Sequence, residues 1–153
     1  MKFTLLKDEN LDKDEYVITH NGDSQTISKL YDFLLNQSKQ TTALNLYKDE
    51  IEYYINVNEL IFFETSDNEV YAHTQNQALL SKYKLYELEE LMPDNFVRVS
   101  KSCIANVNYI YSISRSLSAA RLIKFNSTRK EVYVSRMYYP NLKVHLEKRL
   151  LNE

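Results

Sequence analysis

One glycine, Gly22, serves the whole chain of 153 residues. Phosphate-cradling loops and dinucleotide-binding turns need several glycines, because only a residue without a Cβ lets the backbone close on a pyrophosphate. Walker-type and Rossmann-type nucleotide chemistry is excluded on that count. The chain is nevertheless built to fold. Hydrophobic residues make up 44% of it, and 13 Tyr with 6 Phe are far more aromatic surface than a disordered polymer carries. Its length suits one domain of ordinary size with a short appendage.

The single Cys103 has no internal partner for a disulfide, and His20, His73 and His145 are too scattered for a Cys/His zinc site. A reducing compartment follows. The N-terminus MKFTLLKDENLDKDE has an apolar stretch too short for a signal-peptide core, and no apolar run approaches the length of about 18 residues that spans a bilayer. We therefore expect a cytoplasmic protein. No nucleophile elbow, paired-carboxylate motif or metal-ligand spacing nominates a reaction, so no enzyme, cofactor or metal is expected.

The net charge of −2 hides a partition. Residues 1–97 hold 8 Lys/Arg against 18 Asp/Glu, a balance of −10, whereas residues 98–149 hold 11 Lys/Arg and only Glu131 and Glu147, a balance of +9; Glu153 closes the sum. A basic segment of this length attracts polyanions, nucleic acid first and anionic lipid second. Alternatively, it is a solvated face neutralised by the acidic half.

Short strands are expected at 2–7 and 15–20, followed by the Asn21-Gly22-Asp23 turn and a helix from Ser24 with Ile27, Leu30, Tyr31 and Leu34 on one stripe. This β-β-α extension covers 1–38. The polar stretch 36–42 marks a linker. Beyond it the pattern is mainly β, with strands at 43–47, 51–57, 59–64, 69–74, 96–99, 109–113, 120–125 and 131–134, rich in Tyr, Phe, Val and Ile. A short helix over 84–91 stops before Pro93, and a C-terminal helix runs through Leu142, Leu146 and Leu150. Tyr53, Tyr71, Tyr109 and Tyr133 read as core aromatics within strands.

Four ordered elements carry a resemblance: Leu91-Met92-Pro93 ending the short helix, Phe96-Val97-Arg98-Val99-Ser100-Lys101-Ser102, Asn106-Val107-Asn108-Tyr109-Ile110, and Ser135-Arg136 before the last helix. Over 43–150 the chain resembles the LytTR DNA-binding domain of bacterial transcriptional regulators. No receiver domain fits into the first 42 residues, so it is similar to the stand-alone members. The resemblance implies an elongated, mainly antiparallel β fold that reads duplex DNA with loops in place of a recognition helix. It further implies two protomers on repeated half-sites, and a small membrane protein as inhibitor or input.

Residue by residue, the resemblance places base contacts at Arg136, at Lys101 and at the turn near Asn68. Arg136 suits guanine O6 and N7, Lys101 a guanine or a phosphate, and Asn68 either an adenine or merely the turn. Ser102 matches a phosphate contact through hydroxyl or amide. Arg98 is either a DNA contact or a structural ion-pair member, since strand alternation puts it on the face opposite Lys101. Tyr138, beside Arg136, is in reach of backbone phosphates, and Asn106 is expected to bond local backbone. Pro140 requires the last helix to start late or kink near Tyr139. The other class of reading is a non-catalytic interaction module that docks on a membrane partner through 1–42, its basic half facing an anionic surface.

Overall fold

The computed structural model describes residues 24–38, 41–115 and 120–151, with 10, 17 and 19 besides. Two compact units result, Met1–Leu35 and Asn36–Glu153. The strands expected at 2–7 and 15–20 and the Gly22 turn lie outside the described residues, apart from Val17 and Thr19, which have no regular structure. Helix α1 (Ser24–Ser38) forms where expected, but of its stripe only Ile27 and Leu30 are half-buried, while Tyr31 and Leu34 are exposed, as is Phe33.

The second unit is mainly β, as expected. Strands β1 (Ala43–Lys48), β2 (Ile51–Asn56), β3 (Phe62–Ser66), β4 (Glu69–His73), β5 (Ala78–Ser81), β6 (Phe96–Ser100) and β7 (Cys103–Asn106) form one antiparallel sheet in the order β2-β1-β5-β4-β3-β7-β6. Strands β8 (Ile110–Arg115), β9 (Arg121–Phe125) and β10 (Glu131–Val134) form a second, in the order β10-β9-β8. Helices α2 (Leu85–Leu91) and α3 (Tyr139–Leu151) complete it.

The core divides into two apolar clusters on opposite faces of β3, β7 and β6. Phe63, Phe96 and Ile104 point to one side, where Leu85 and Leu88 of α2 join Leu44, Leu46 and Leu79. Phe62, Val97, Val99 and Ala105 point to the other, against Ile123, Val132 and Val134 of the second sheet and Leu142 of α3. A strand covered on both faces has no solvent side, which is why FVRV and CIAN read as near-continuous apolar runs and not as alternations. Pro140 falls in the first turn of α3, where its missing N–H costs nothing; of the two alternatives, the helix takes the later start.

Several boundaries differ from expectation. Strand β3 begins at Phe62, not 59, because Asn56 accepts the Asn58 N–H at 2.8 Å and caps a 3-10 turn over Val57–Glu59. The same device recurs fifty residues on: Asn106 accepts the Asn108 N–H at 3.1 Å and caps Val107–Tyr109. Both copies read Asn-Val-Asn-x-Leu/Ile. Strands β5 and β7, four residues each, were not expected; they are too short to show a period and gain their order from neighbours on both sides. Tyr133 is not core: it lies on the outer face of β10 and is 64% exposed.

Asn106 does more than the expected local bonding. Its buried amide donates to the Leu60 carbonyl at 2.8 Å, and its oxygen also accepts from Asn95 Nδ2 at 2.8 Å. Asn106→Ala leaves these groups buried without partners and should cost about 3 kcal/mol in urea unfolding, at about 1–3 kcal/mol per orphaned group. His73 is similarly buried, stacked on Phe62 at 4.1 Å, with Nδ1 2.7 Å from Lys130 Nζ and Nε2 2.7 Å from Glu64 Oε1. The Glu64 contact is too poorly directed to count as a hydrogen bond.

Burial, then the Lys130 ammonium, push the His73 pKa down to about 4. In the unfolded chain it titrates near its ordinary value of 6.5. The unfolded state thus binds the extra proton first, and stability present above about pH 6.5 is lost progressively toward pH 4. The loss over that range amounts to about 3 kcal/mol or less. Thermal melts across that range should show the fall for wild type and a flatter profile for His73→Phe.

Candidate nucleic-acid interface

Three turns meet at one end of the larger sheet. The β3–β4 hairpin closes through Asp67 and Asn68, with Ser66 paired to Glu69, and the central residues take φ of 51° and 66°. Two successive left-handed residues match the twist of a two-residue hairpin, and Asp and Asn tolerate that region better than other side chains. Asn68 is therefore demanded by the turn, whatever else it contacts, and it is exposed at the tip.

The β6–β7 turn carries Lys101 and Ser102, both exposed. The Thr65 N–H donates to the Ser102 carbonyl at 2.8 Å, so this turn is bonded to the strand that leads into the Asn68 hairpin. The third turn follows β10: the Ser135 N–H donates to the Val99 carbonyl at 2.9 Å, and the Tyr138 and Tyr139 N–H groups close back on the Ser135 carbonyl. Arg136 is exposed in this turn, three residues ahead of α3 and not within it. Tyr138 is half-buried, and its carbonyl accepts the first α3 bond, from Leu142. The structure thus brings Asn68, Lys101, Ser102 and Arg136 to one end, held by two backbone hydrogen bonds between strands.

Arg98 lies beneath this surface. Its Nε donates to the Ser100 carbonyl at 2.8 Å, its Nη2 to the Lys101 carbonyl, and its Nη1 pairs with Glu89 of α2 at 2.9 Å. With its side chain 20% exposed it is a clamp on the carbonyl side of the turn that presents Lys101. The strand register slips between Arg98 and Ser100, and the Ser102 amide is taken by Ser100 Oγ at 3.2 Å. That leaves the Ser102 hydroxyl, 3.4 Å from Ser100 Oγ, as the group it can present. Cys103, at the foot of the turn, is buried, and burial pushes its thiol far above the ordinary range, so it is inert.

The family model for the LytTr DNA-binding domain matches residues 51–147. The chain belongs to the LytTR family. An uncharacterized HTH-type transcriptional regulator from Staphylococcus aureus is 34% identical over 113 residues, covering 73% of this chain and 76% of that protein. A regulator of the same description from another strain of that species is 40% identical over 76 residues, covering 50% of this chain and 52% of that one. Among solved structures, the LytTr DNA-binding domain of a DNA response regulator from Bacillus cereus superposes with a TM-score of 0.65 at 25% identity, over 70% of this chain and 98% of that one.

The LytTR domain is a DNA-binding module and not a catalytic one. Among the described residues of this chain no helix–turn–helix pair occurs, since strands separate α1, α2 and α3 from one another. No helix among them is long and apolar enough to cross a membrane. Residue type leaves two readings open for Arg98 and gives no sign of Arg149, whose Nη1 binds the Val107 carbonyl and, at 3.1 Å, the Ile110 carbonyl, pinning the end of α3 to the second 3-10 turn. Nothing local to Arg149 signals that role, because its acceptors are about forty residues away.

Arg98→Ala removes a half-buried clamp with three partners and should lower stability by about 1–2 kcal/mol. Denaturation midpoints check this, with Glu89→Gln expected to cost less because the two turn carbonyls keep their donor.

Proposed function

We propose that this LytTR protein is a sequence-specific transcriptional regulator that reads major-groove base edges with the turns bearing Arg136, Lys101 and Asn68. The observation that carries the reading is the convergence of those three turns at one end of the sheet, tied together by the Thr65–Ser102 and Ser135–Val99 backbone bonds. A guanidinium on an exposed turn can donate in parallel to guanine O6 and N7, which discriminates bases by about 1–3 kcal/mol. Lys101 and the Ser102 hydroxyl supply phosphate or guanine contacts, and Tyr138 borders the backbone. Arg98 acts from below, by holding the Lys101 turn.

One domain offers few base contacts, so two copies on a repeated half-site supply the specificity that one lacks. The N-terminal unit is the surface for self-association or for a membrane-protein partner in the cytoplasm; the exposed Tyr31, Phe33 and Leu34 of α1 support that assignment.

Selection of bound fragments from a random duplex pool, at one fixed near-physiological salt concentration, tests the proposal. Wild type should enrich a repeated motif and Arg136→Ala should lose preference at one position of each half-site, by about 1–3 kcal/mol. Salt-sensitive binding with no enriched motif would instead favour an interaction module facing an anionic surface.

A further inference from the structure

The end of the smaller sheet where β8 stops and β9 starts carries a charge arrangement that the fold alone does not explain. Arg115, the last residue of β8, stands directly opposite Arg121, the first of β9, and Arg121 in turn pairs with Val134, the last residue of β10. Like charges directly opposed across antiparallel strands destabilise a sheet. The same register places Ile113 opposite Ile123 in the core, so by strand alternation the two arginines extend the inward-facing row, on the side where α3 begins. Arg121 stacks its guanidinium 3.6 Å from the centre of the Tyr139 ring, at the first residue of α3. Arg136 sits in the turn between Val134 and Tyr139.

Among the described residues no ion pair offsets this charge. The basic stretch 98–149 has two acids, and both are engaged elsewhere: Glu131 with Lys124 at 3.3 Å and Glu147 with Lys143 at 3.9 Å. The first turn of α3 has no acidic residue, and the helix's own dipole adds positive potential there. Neither Arg115 nor Arg121 has an ion-pair partner among the described residues. A cross-strand arginine pair without a carboxylate, beside the turn that holds Arg136, has the charge and spacing to bind an anion.

We infer that Arg115 and Arg121 form a phosphate-binding site that grips the DNA backbone next to the base step read by Arg136. The inference rests on the DNA-reading proposal above and extends it: contact spreads from the larger sheet onto the end of the smaller one. Tyr139 is a positioning residue, holding Arg121 at the mouth of the Arg136 turn. The phosphate is that of duplex DNA, because Arg136 and Lys101 present their charges at the same end.

The test compares full-length wild type, Arg115→Gln, Arg115→Gln/Arg121→Gln and Arg136→Ala by titrating a selected duplex at several salt concentrations, with melting curves alongside. Each phosphate contact contributes roughly 0.9 to the slope of log affinity against log salt, so the double variant should show a slope shallower by about 1–2 and bind roughly ten-fold or more weakly near 0.15 M salt. Its motif preference should be unchanged. Arg115→Gln should melt at or above the wild-type temperature, since it relieves repulsion in the free protein; a purely structural arginine would do the reverse.

Unchanged slope and affinity in well-folded variants overturn the site. A wild type that selects no motif refutes the DNA-reading proposal itself, an outcome distinct from a wild type that selects one while the arginine variants match it.

Discussion

A single buried carboxamide sits where the two apolar clusters adjoin. Asn106 ends β7, a strand packed on both faces, and its side chain spans forty-six residues of sequence to reach the Leu60 carbonyl at the entrance to β3. It also starts the 3-10 turn that redirects the chain into the second sheet and receives the Asn95 amide from the entrance to β6. Three chain reversals thus share one polar group, 1% exposed, whose hydrogen-bonding capacity is largely used. Since β3 and β6 end, and β7 begins, in the turns that carry Asn68, Lys101 and Ser102, the alignment of the end bearing those turns depends on a contact at the opposite end of the same strands.

The electrostatics follow from the same placement. The acidic half of the sequence supplies β1 to β5 and α2, and the basic half supplies β6 to β10 and α3. Antiparallel pairing of β3 with β7 joins the halves, and it brings Asp67 and Glu69 of the β3–β4 hairpin to the same end as the basic turns. Where an acid does approach, as Glu89 approaches Arg98, the arginine is the one that organises a turn from within and not one presented at its tip. The exposed cations Lys101, Arg115 and Arg136 are left without carboxylates among the described residues, an arrangement that costs folding stability and suits a polyanion.

The strands richest in aromatic and β-branched residues were legible; Pro140 left a late start or a kink of α3 open, and the structure takes the late start. The family motifs located Arg136, Lys101 and Ser102, which the structure gathers at one end. Periodicity failed on β5 and β7, four-residue strands whose order is conferred by neighbours. It failed on Tyr133 because an edge strand of the small sheet shows one face to solvent, and the outer face still accepts an aromatic. The choice between two roles for Arg98 could not be made from alternation, since it turns on three acceptors supplied by a bulged turn and by a separate helix.

Composition and local pattern alone determined the class of molecule: one glycine bars phosphate-cradling loops, strand-forming residues dominate beyond residue 43, and the charge is divided along the chain. These depend on what each residue is and on neighbours a few positions away. Tertiary structure alone decided which cations meet. Arg115 and Arg121 are six positions apart on separate strands, and only register sets them face to face; Ser102 and Thr65 are bonded only because β3 and β7 pair. Charge acts through space, and the distances that govern it are set by strand pairing between distant segments.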